Sequence, residues 1–316
     1  MAQTMNAVRF YPPGGPEKLS YQTEPVPSPP WEKQVLIKVH GVGLIWPELY
    51  WPIYQSPAGD YVSHIPGHDF SGVVVAVGPG CEGRGIEVGA EVYGLTSRRN
   101  HEGAMAEFVK ADVDQVVLKP RNLAFVEAAA IPLSALTAWQ ALFDHGKLKK
   151  GQRVLVTGGA GGTGVFATQF AKMFGAYVIA TGSSARSREI LEGYGVDEFI
   201  DYKATDLKSA VKDIDLVLEC VGQTVLEQCF DVVRKEGTIV SIVTVNCKEE
   251  ALKRGIDGKF FIVCMNAEQL NNITKMVEDG TIKPIIDATY PLEETRKAFE
   301  EASAGHVHGK AVIRVV

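Results

Sequence analysis

No apolar run in this sequence reaches the roughly 18 to 20 residues that a membrane span needs. The opening stretch MAQTMNAVRFYPPGG also lacks the apolar centre of a secretion signal. Cysteine is scarce: Cys81, Cys220, Cys229, Cys247 and Cys264 are scattered without a CxxC pair. That spacing argues against a disulfide framework and a knuckle-type zinc site, and leaves buried free thiols as the expectation. Positive charge is not in excess, with 32 Lys and Arg against 38 Asp and Glu and a formal net charge of −6. The chain therefore has no overall field to attract nucleic acid or an anionic membrane. No repeat of solenoid length is present. These absences leave a cytoplasmic protein that acts on a small molecule, with neither nucleic acid nor membrane as partner.

The 316 residues are 46% hydrophobic and 22% charged, the make-up of an ordinary folded chain with room for two domains. The first 120 residues carry short apolar runs broken by Gly and Pro: VLIKVHGVG (35 to 43), GVVVAVG (72 to 78), AEVYGLT (90 to 96) and AEFVKA (106 to 111). This pattern predicts a small barrel or sandwich. The Pro-rich opening YPPGGPEKLSYQTEPVPSPP predicts extended edge and loop. From residue 150 the rhythm becomes strand and helix in alternation. RVLVTG, YVIATG, EFIDY, DLVLECVG, GTIVSIV and KFFIVCM supply six β-type runs, separated by helical stretches such as TGVFATQFAKMFG and SREILEGYG. Six such runs predict an α/β domain with a doubly wound parallel six-stranded sheet. The tail reads as helix EQLNNITKMVEDG, strand IKPIID, helix LEETRKAFEEASAG and strand GKAVIRVV. It is too small for a core of its own and is expected to pack back on the N-terminal domain. The expected division is 1 to 122 for a catalytic domain, 123 to 265 for a dinucleotide-binding domain, and 266 to 316 for the return.

Residues 159 to 164 fit GxGxxG between an apolar strand and a helix. Glycines there permit a tight turn and let backbone N–H groups approach a pyrophosphate, which the helix dipole also favours. Gly161, Gly162 and Thr163 are the expected contacts. An acidic residue about 20 positions on would bind a free ribose 2′-hydroxyl, but TGSSARSR at 181 to 188 contains no carboxylate. Ser183, Ser184, Arg186 and Arg188 can instead meet a 2′-phosphate, which favours NADPH/NADP+. The competing reading has the serines capping the following helix and the arginines solvated.

Several blocks, in order, resemble the medium-chain dehydrogenase/reductase superfamily, and within it the quinone oxidoreductase (zeta-crystallin)-like and enoyl reductase-like branches. They are GGPEKL, PGHDFSGVVVAVGPG, GAMAEFV, EAAAIPLSALTAWQAL, the glycine turn, GVDEFIDY and GKAVIRV, and they run through nearly the whole chain. The resemblance implies a GroES-like β-barrel-type catalytic domain beside a Rossmann sheet, with the cofactor in the crevice between them. Many members hold a catalytic zinc. Here two ligand positions look like Ile45 and Leu133, and only His68, with Asp69 beside it, remains. Zinc wants three or four converging ligands, so no metal is expected and His68 reads as structural.

Without that Lewis acid, the resemblance implies hydride transfer to a quinone or an α,β-unsaturated carbonyl rather than alcohol oxidation. Tyr50 falls where such reductases carry a tyrosine near the nicotinamide, with Tyr54 in reserve, so either can supply a proton. Equally, Trp46, Tyr50, Trp51 and Tyr54 can form an aromatic wall that orients a flat substrate. The resemblance also implies Thr137 near the nicotinamide amide and Tyr202 at the adenosine ribose phosphate. Relatives often carry Lys where Ser187 stands. Cys220, Val221 and Gly222 end the fourth strand of the sheet, where the ligand crevice opens. Lys310 reads as a cofactor contact or a solvated strand-end lysine. A homodimer is implied through KFFIVCM, which would otherwise be an ordinary sheet edge. Alternatives are a metal-free alcohol or aldehyde dehydrogenase, or an idle NADPH-binding protein.

Overall fold

The computed structural model describes residues 3–51, 62–96, 102–305 and 307–316. The chain divides into two compact units. One comprises 1–133, 265–280 and 284–316, and the other 134–264 and 281–283.

Strand Gln34–Gly43 shows how the first unit forms. Its side chains alternate, with Val35, Ile37 and Val39 buried and Gln34, Leu36, Lys38 and His40 half-buried between them. That period of two seats one face on a core. Around it run the strands Ile286–Pro291, Lys310–Arg314, Asp69–Val77, Glu91–Leu95 and Val116–Leu118 in one seven-stranded sheet, with Phe108–Asp112 also pairing to the central strand. A hairpin of Thr4–Phe10 and Leu19–Pro25 adds Phe10 and Leu19 to the same core. Lys310–Arg314 pairs antiparallel with the 34–43 strand, so the tail completes this sheet.

The second unit is the doubly wound sheet expected. Its six strands are all parallel, in the order Glu198–Asp201, Tyr177–Gly182, Arg153–Val156, Ile214–Glu219, Val233–Ser241, Asp257–Phe260. Val154, Leu155 and Val156 are fully buried, as strands covered on both faces require. The order reverses direction between Arg153–Val156 and Ile214–Glu219, the switch point where such sheets open a ligand crevice at the strands' carboxyl ends.

Four expectations need correction. Residues 123 to 133 pack with the first unit, because Ser71 Oγ donates to the Phe125 carbonyl (2.6 Å), Leu133 N–H donates to Asp69 Oδ1 (2.5 Å), and Ala129 and Ala130 bury against Val312. The sixth strand stops at Phe260, since the Gln140 amide takes the N–H and carbonyl of Cys264 (3.1 and 2.7 Å) in place of a ladder. The strand after the helix Ala267–Glu278 begins at Ile286, beyond Pro284, rather than at Ile282. Among the cysteines, Cys264 is exposed and Cys220 half-exposed.

Two carboxyl groups of the first unit are wholly buried. Asp69 is met by Lys310 Nζ at 3.0 Å as well as by Leu133 N–H. Glu48, in the short 3-10 helix Trp46–Tyr50, accepts Gly67 N–H at 3.1 Å through Oε2, while its Oε1 has no partner among the described residues. Burial pushes the Glu48 carboxyl up to about 8, against an ordinary value of 4.5. Between those values the folded chain holds a proton that the unfolded chain releases, so this group's contribution to stability is full below pH 4.5 and is lost as pH rises through 8. Glu48→Gln keeps the acceptor for Gly67 and removes the titration. Thermal denaturation from pH 4.5 to 9 should show the wild type losing stability relative to the variant as pH rises, and parallel curves would contradict a protonated Glu48.

Candidate functional site

The second unit's glycine turn starts from buried Thr157 at the end of strand Arg153–Val156. Gly158 adopts φ +62°, and its N–H donates to Thr181 Oγ1 (3.0 Å) while Gly159 N–H donates to the Thr181 carbonyl (2.9 Å). Helix Gly162–Met173 follows with Gly161 as its N-cap. With no side chain, Gly161 offers the first turn no capping acceptor. The N–H groups of Gly162 and Thr163, both half-exposed, open the helix with no intrahelical acceptor. A Cβ at Gly164 would run into the Gly158 carbonyl and lie 2.7 Å from Gly159 Cα, so glycine sets how closely helix and turn approach. A Cβ at Gly161 would meet only the Gly158 carbonyl, at 3.3 Å, which leaves the space over the helix start open. These features fit a bound pyrophosphate: N–H donors with no intrahelical acceptor, a helix N-terminus and no Cβ in the way.

The neighbouring strand ends gather the residues expected at a ribose phosphate. Tyr202 N–H donates to the Gly182 carbonyl (3.2 Å), bringing the half-exposed Ser183 and the exposed Tyr202 to adjacent strand ends. Ser184 caps helix Ala185–Gly193, accepting Ser187 N–H at 3.0 Å, so that serine acts as a cap in the absence of ligand. Ser187 is buried. Arg188 lies over the Phe199 ring, 4.3 Å from its centroid, and pairs with Glu192 at 3.1 Å. Its guanidinium is thus held along the helix flank, while Arg186 is exposed on the helix's first turn.

Val221 sits at the end of the fourth strand, 55% exposed, directly across the switch point from the turn. Sequence reasoning missed its support. Glu219, wholly buried, accepts the N–H groups of Val221 and Gly222, each at 2.6 Å, and Thr157 Oγ1 accepts the N–H of Cys220 at 2.9 Å. Thr157, Thr181 and Glu219 carry no motif signal. The available hint was a carboxylate, Glu219, inside the otherwise apolar run LVLECVG.

Thr137 is buried on the helix Pro132–Trp139. In the first unit, Tyr50 is 54% exposed, with its hydroxyl against Gly15, where an added Cβ would lie 2.9 Å away. Trp46 is also exposed, and Trp51 stacks on His68 with ring centroids 5.3 Å apart. Tyr54 lies outside the described residues.

The side chains at 45, 68, 69 and 133 do not offer a metal a converging ligand set. Ile45 is buried and aliphatic, and Leu133 contributes its N–H to Asp69. Nδ1 of His68 lies 3.0 Å from Thr96 Oγ1, and Asp69 is matched by the ammonium of Lys310. Lys310 is therefore neither solvated nor free to reach a cofactor. No group of three or more His, Cys, Asp or Glu converges among the described residues.

Residues 31–121 match the family described as "Alcohol dehydrogenase GroES-like domain", and residues 194–313 match "Zinc-binding dehydrogenase". The chain is 32% identical to a protein of Arthroderma benhamiae named "Probable zinc-binding oxidoreductase, mitochondrial", over 94% of this chain and 93% of that one. It is 34% identical to the 2-methylene-furan-3-one reductase of Solanum lycopersicum, over 90% of this chain and 72% of that one. The solved quinone oxidoreductase of Coxiella burnetii superposes with a TM-score of 0.92 at 31% identity, over 99% of this chain and 100% of that one.

Because Gly164 abuts backbone rather than a yielding side chain, Gly164→Ala should destabilise the protein by about 1–3 kcal/mol. Chemical denaturation measures this, and an unchanged midpoint would mean that the turn relaxes freely.

Proposed function

This chain belongs to the medium-chain dehydrogenase/reductase superfamily, and we propose that within it the chain is a zinc-independent, NADPH-dependent reductase of a quinone or an α,β-unsaturated carbonyl compound. The observation that carries the reading is the pairing of an uncapped glycine turn with adjacent strand ends that offer hydroxyls and Arg186 but no carboxylate at 181 to 188. Relatives named as a furanone reductase and a quinone oxidoreductase support a conjugated carbonyl as substrate. The ligand chemistry at 45, 68 and 133 supports independence from zinc.

NADPH, when bound, supplies the hydride. Gly162 and Thr163 N–H groups receive its pyrophosphate, and Gly161 leaves room for it. Ser183, Ser184, Arg186 and Tyr202 take the 2′-phosphorylated ribose, with Arg188 contributing from its station on Phe199. Thr137 and Val221 serve the nicotinamide end. Trp46 and Tyr50 present aromatic surface to a flat substrate, and the Tyr50 hydroxyl donates a hydrogen bond or proton to the substrate oxygen as charge develops there.

A homodimer and a cytoplasmic location belong to this proposal. The strand Asp257–Phe260 stands at the end of its sheet, with a neighbour on one side, and can pair with a second copy. No helix among the described residues is long and apolar enough to cross a membrane.

Oxidation of NADPH followed by absorbance against a panel of quinones, enones and aldehydes tests the reaction. Turnover confined to quinones and enones, and retained after exhaustive chelation, is expected, whereas turnover of saturated aldehydes alone would overturn it. Replacing Arg186 and Arg188 together by Ala should raise KM for NADPH roughly tenfold or more while leaving NADH almost unchanged. Equal losses would remove the 2′-phosphate assignment. For Tyr50→Phe a drop in kcat of about 10²-fold is expected if its hydroxyl gives the proton, and an unchanged kcat would leave the ring as an orienting wall only.

A further inference from the structure

Glu219 ends the fourth strand of the parallel sheet, beside the switch point, and is completely buried. Its Oε1 accepts two backbone N–H groups, from Val221 and Gly222, at 2.6 Å each. Its Oε2 accepts the hydroxyls of Ser241 at 2.8 Å and Thr244 at 3.5 Å. Ser241 Oγ in turn accepts the N–H groups of Thr244 (2.8 Å) and Val243 (3.2 Å). One carboxylate thereby fixes two loops, 220–222 after the fourth strand and 242–244 after the fifth. The two N–H groups can only donate, and the Ser241 oxygen already accepts two N–H groups, so the site favours a side chain that accepts on both oxygens. Gly222, at φ +134°, makes the turn that brings its N–H onto the carboxylate. The loops so held present Val221 and Val243 outward, 55% and 45% exposed.

A doubly wound sheet binds a dinucleotide as two mononucleotide halves, one on each side of the switch point. The three strands from 153 to 201 carry the glycine turn and the ribose-phosphate residues and so take the adenosine half. The loops at 220–222 and 242–244 belong to the other three strands. We propose that Glu219 is the positioning residue for the nicotinamide half: it touches no ligand, but holds the two loops whose apolar side chains seat that half of the cofactor. This inference rests on the dinucleotide reading above.

The test uses the full-length protein and two probes, NADPH and adenosine 2′,5′-bisphosphate, which carries the adenosine half alone. Glu219→Gln preserves size but places an NH2 either against the two N–H donors or against Ser241, whose oxygen already accepts two N–H groups, so one loop loses its acceptor. It should weaken NADPH by about tenfold or more, while adenosine 2′,5′-bisphosphate stays within about twofold of the wild type. Glu219→Asp, still acceptor-only, should bind NADPH more tightly than Glu219→Gln. Ser241→Ala removes the hydroxyl that ties the 242–244 loop to Glu219 and leaves the 220–222 loop held, and it decides the matter if the glutamine variant does not fold. It should weaken NADPH several-fold with the same sparing of the half-ligand. Wild-type affinity for NADPH in the folded variants, or parallel loss of both probes, would overturn the assignment. Failure of the unaltered protein to bind either probe would overturn the dinucleotide reading itself.

Discussion

A carboxylate taken out of water survives only if donors meet its lone pairs, and Asp69 and Glu219 show how much of this structure answers to that requirement. Each is wholly buried at or beside the end of a strand, and each is met by groups from other segments. Asp69 gathers an ammonium from the C-terminal strand and an N–H from the start of the linking helix. Glu219 gathers two N–H groups and two hydroxyls from two loops of the sheet's crevice. Because an unmet buried charge costs far more than a lost surface contact, these segments are fixed in register rather than merely apposed. Glu48 shows the other solution. With one N–H to accept and one oxygen without a partner among the described residues, it is relieved by taking up a proton.

Local features were legible in the chain. The apolar run VLIKVHGVG announced a strand, the runs from RVLVTG onward announced a parallel sheet, and the glycines at 159, 161 and 164 form the strand-to-helix turn that their spacing implied. What stayed hidden was pairing over long distance. Nothing periodic links Lys310 to Asp69, or Glu219 to Ser241. The same blindness moved the start of the second unit past residue 133, because Asp69, Ser71 and Val312 hold the linking segment from far away in sequence. At KFFIVCM the composition was right for a strand, but Gln140 supplied the partners that a ladder would have used. Ser184 and Arg188 serve local roles as cap and stacked cation, which composition alone does not separate from ligand contacts.

The surroundings of His68 and Asp69 show how a buried acid is balanced inside the first unit. Ile45 and Leu133 are aliphatic, and the acidic residue beside His68 is opposed by a positive group. An ammonium is a fixed charge with no open coordination position, so it can balance Asp69 but cannot polarise a carbonyl as a zinc ion does. The aromatic side chains Trp46 and Tyr50 of the same first unit are exposed.

The strand Lys310–Arg314 pairs with Gln34–Gly43, laid down near the opposite end of the chain, and lies between it and Ile286–Pro291. Its sheet therefore closes a very long loop, whereas the parallel sheet between residues 153 and 260 is built from consecutive units. During synthesis the parallel sheet can assemble while the first unit still waits, its central strand unpaired along one stretch and Asp69 without its cation. Lys310 arrives as the last partner, so the act that finishes the sheet is also the act that neutralises its buried acid.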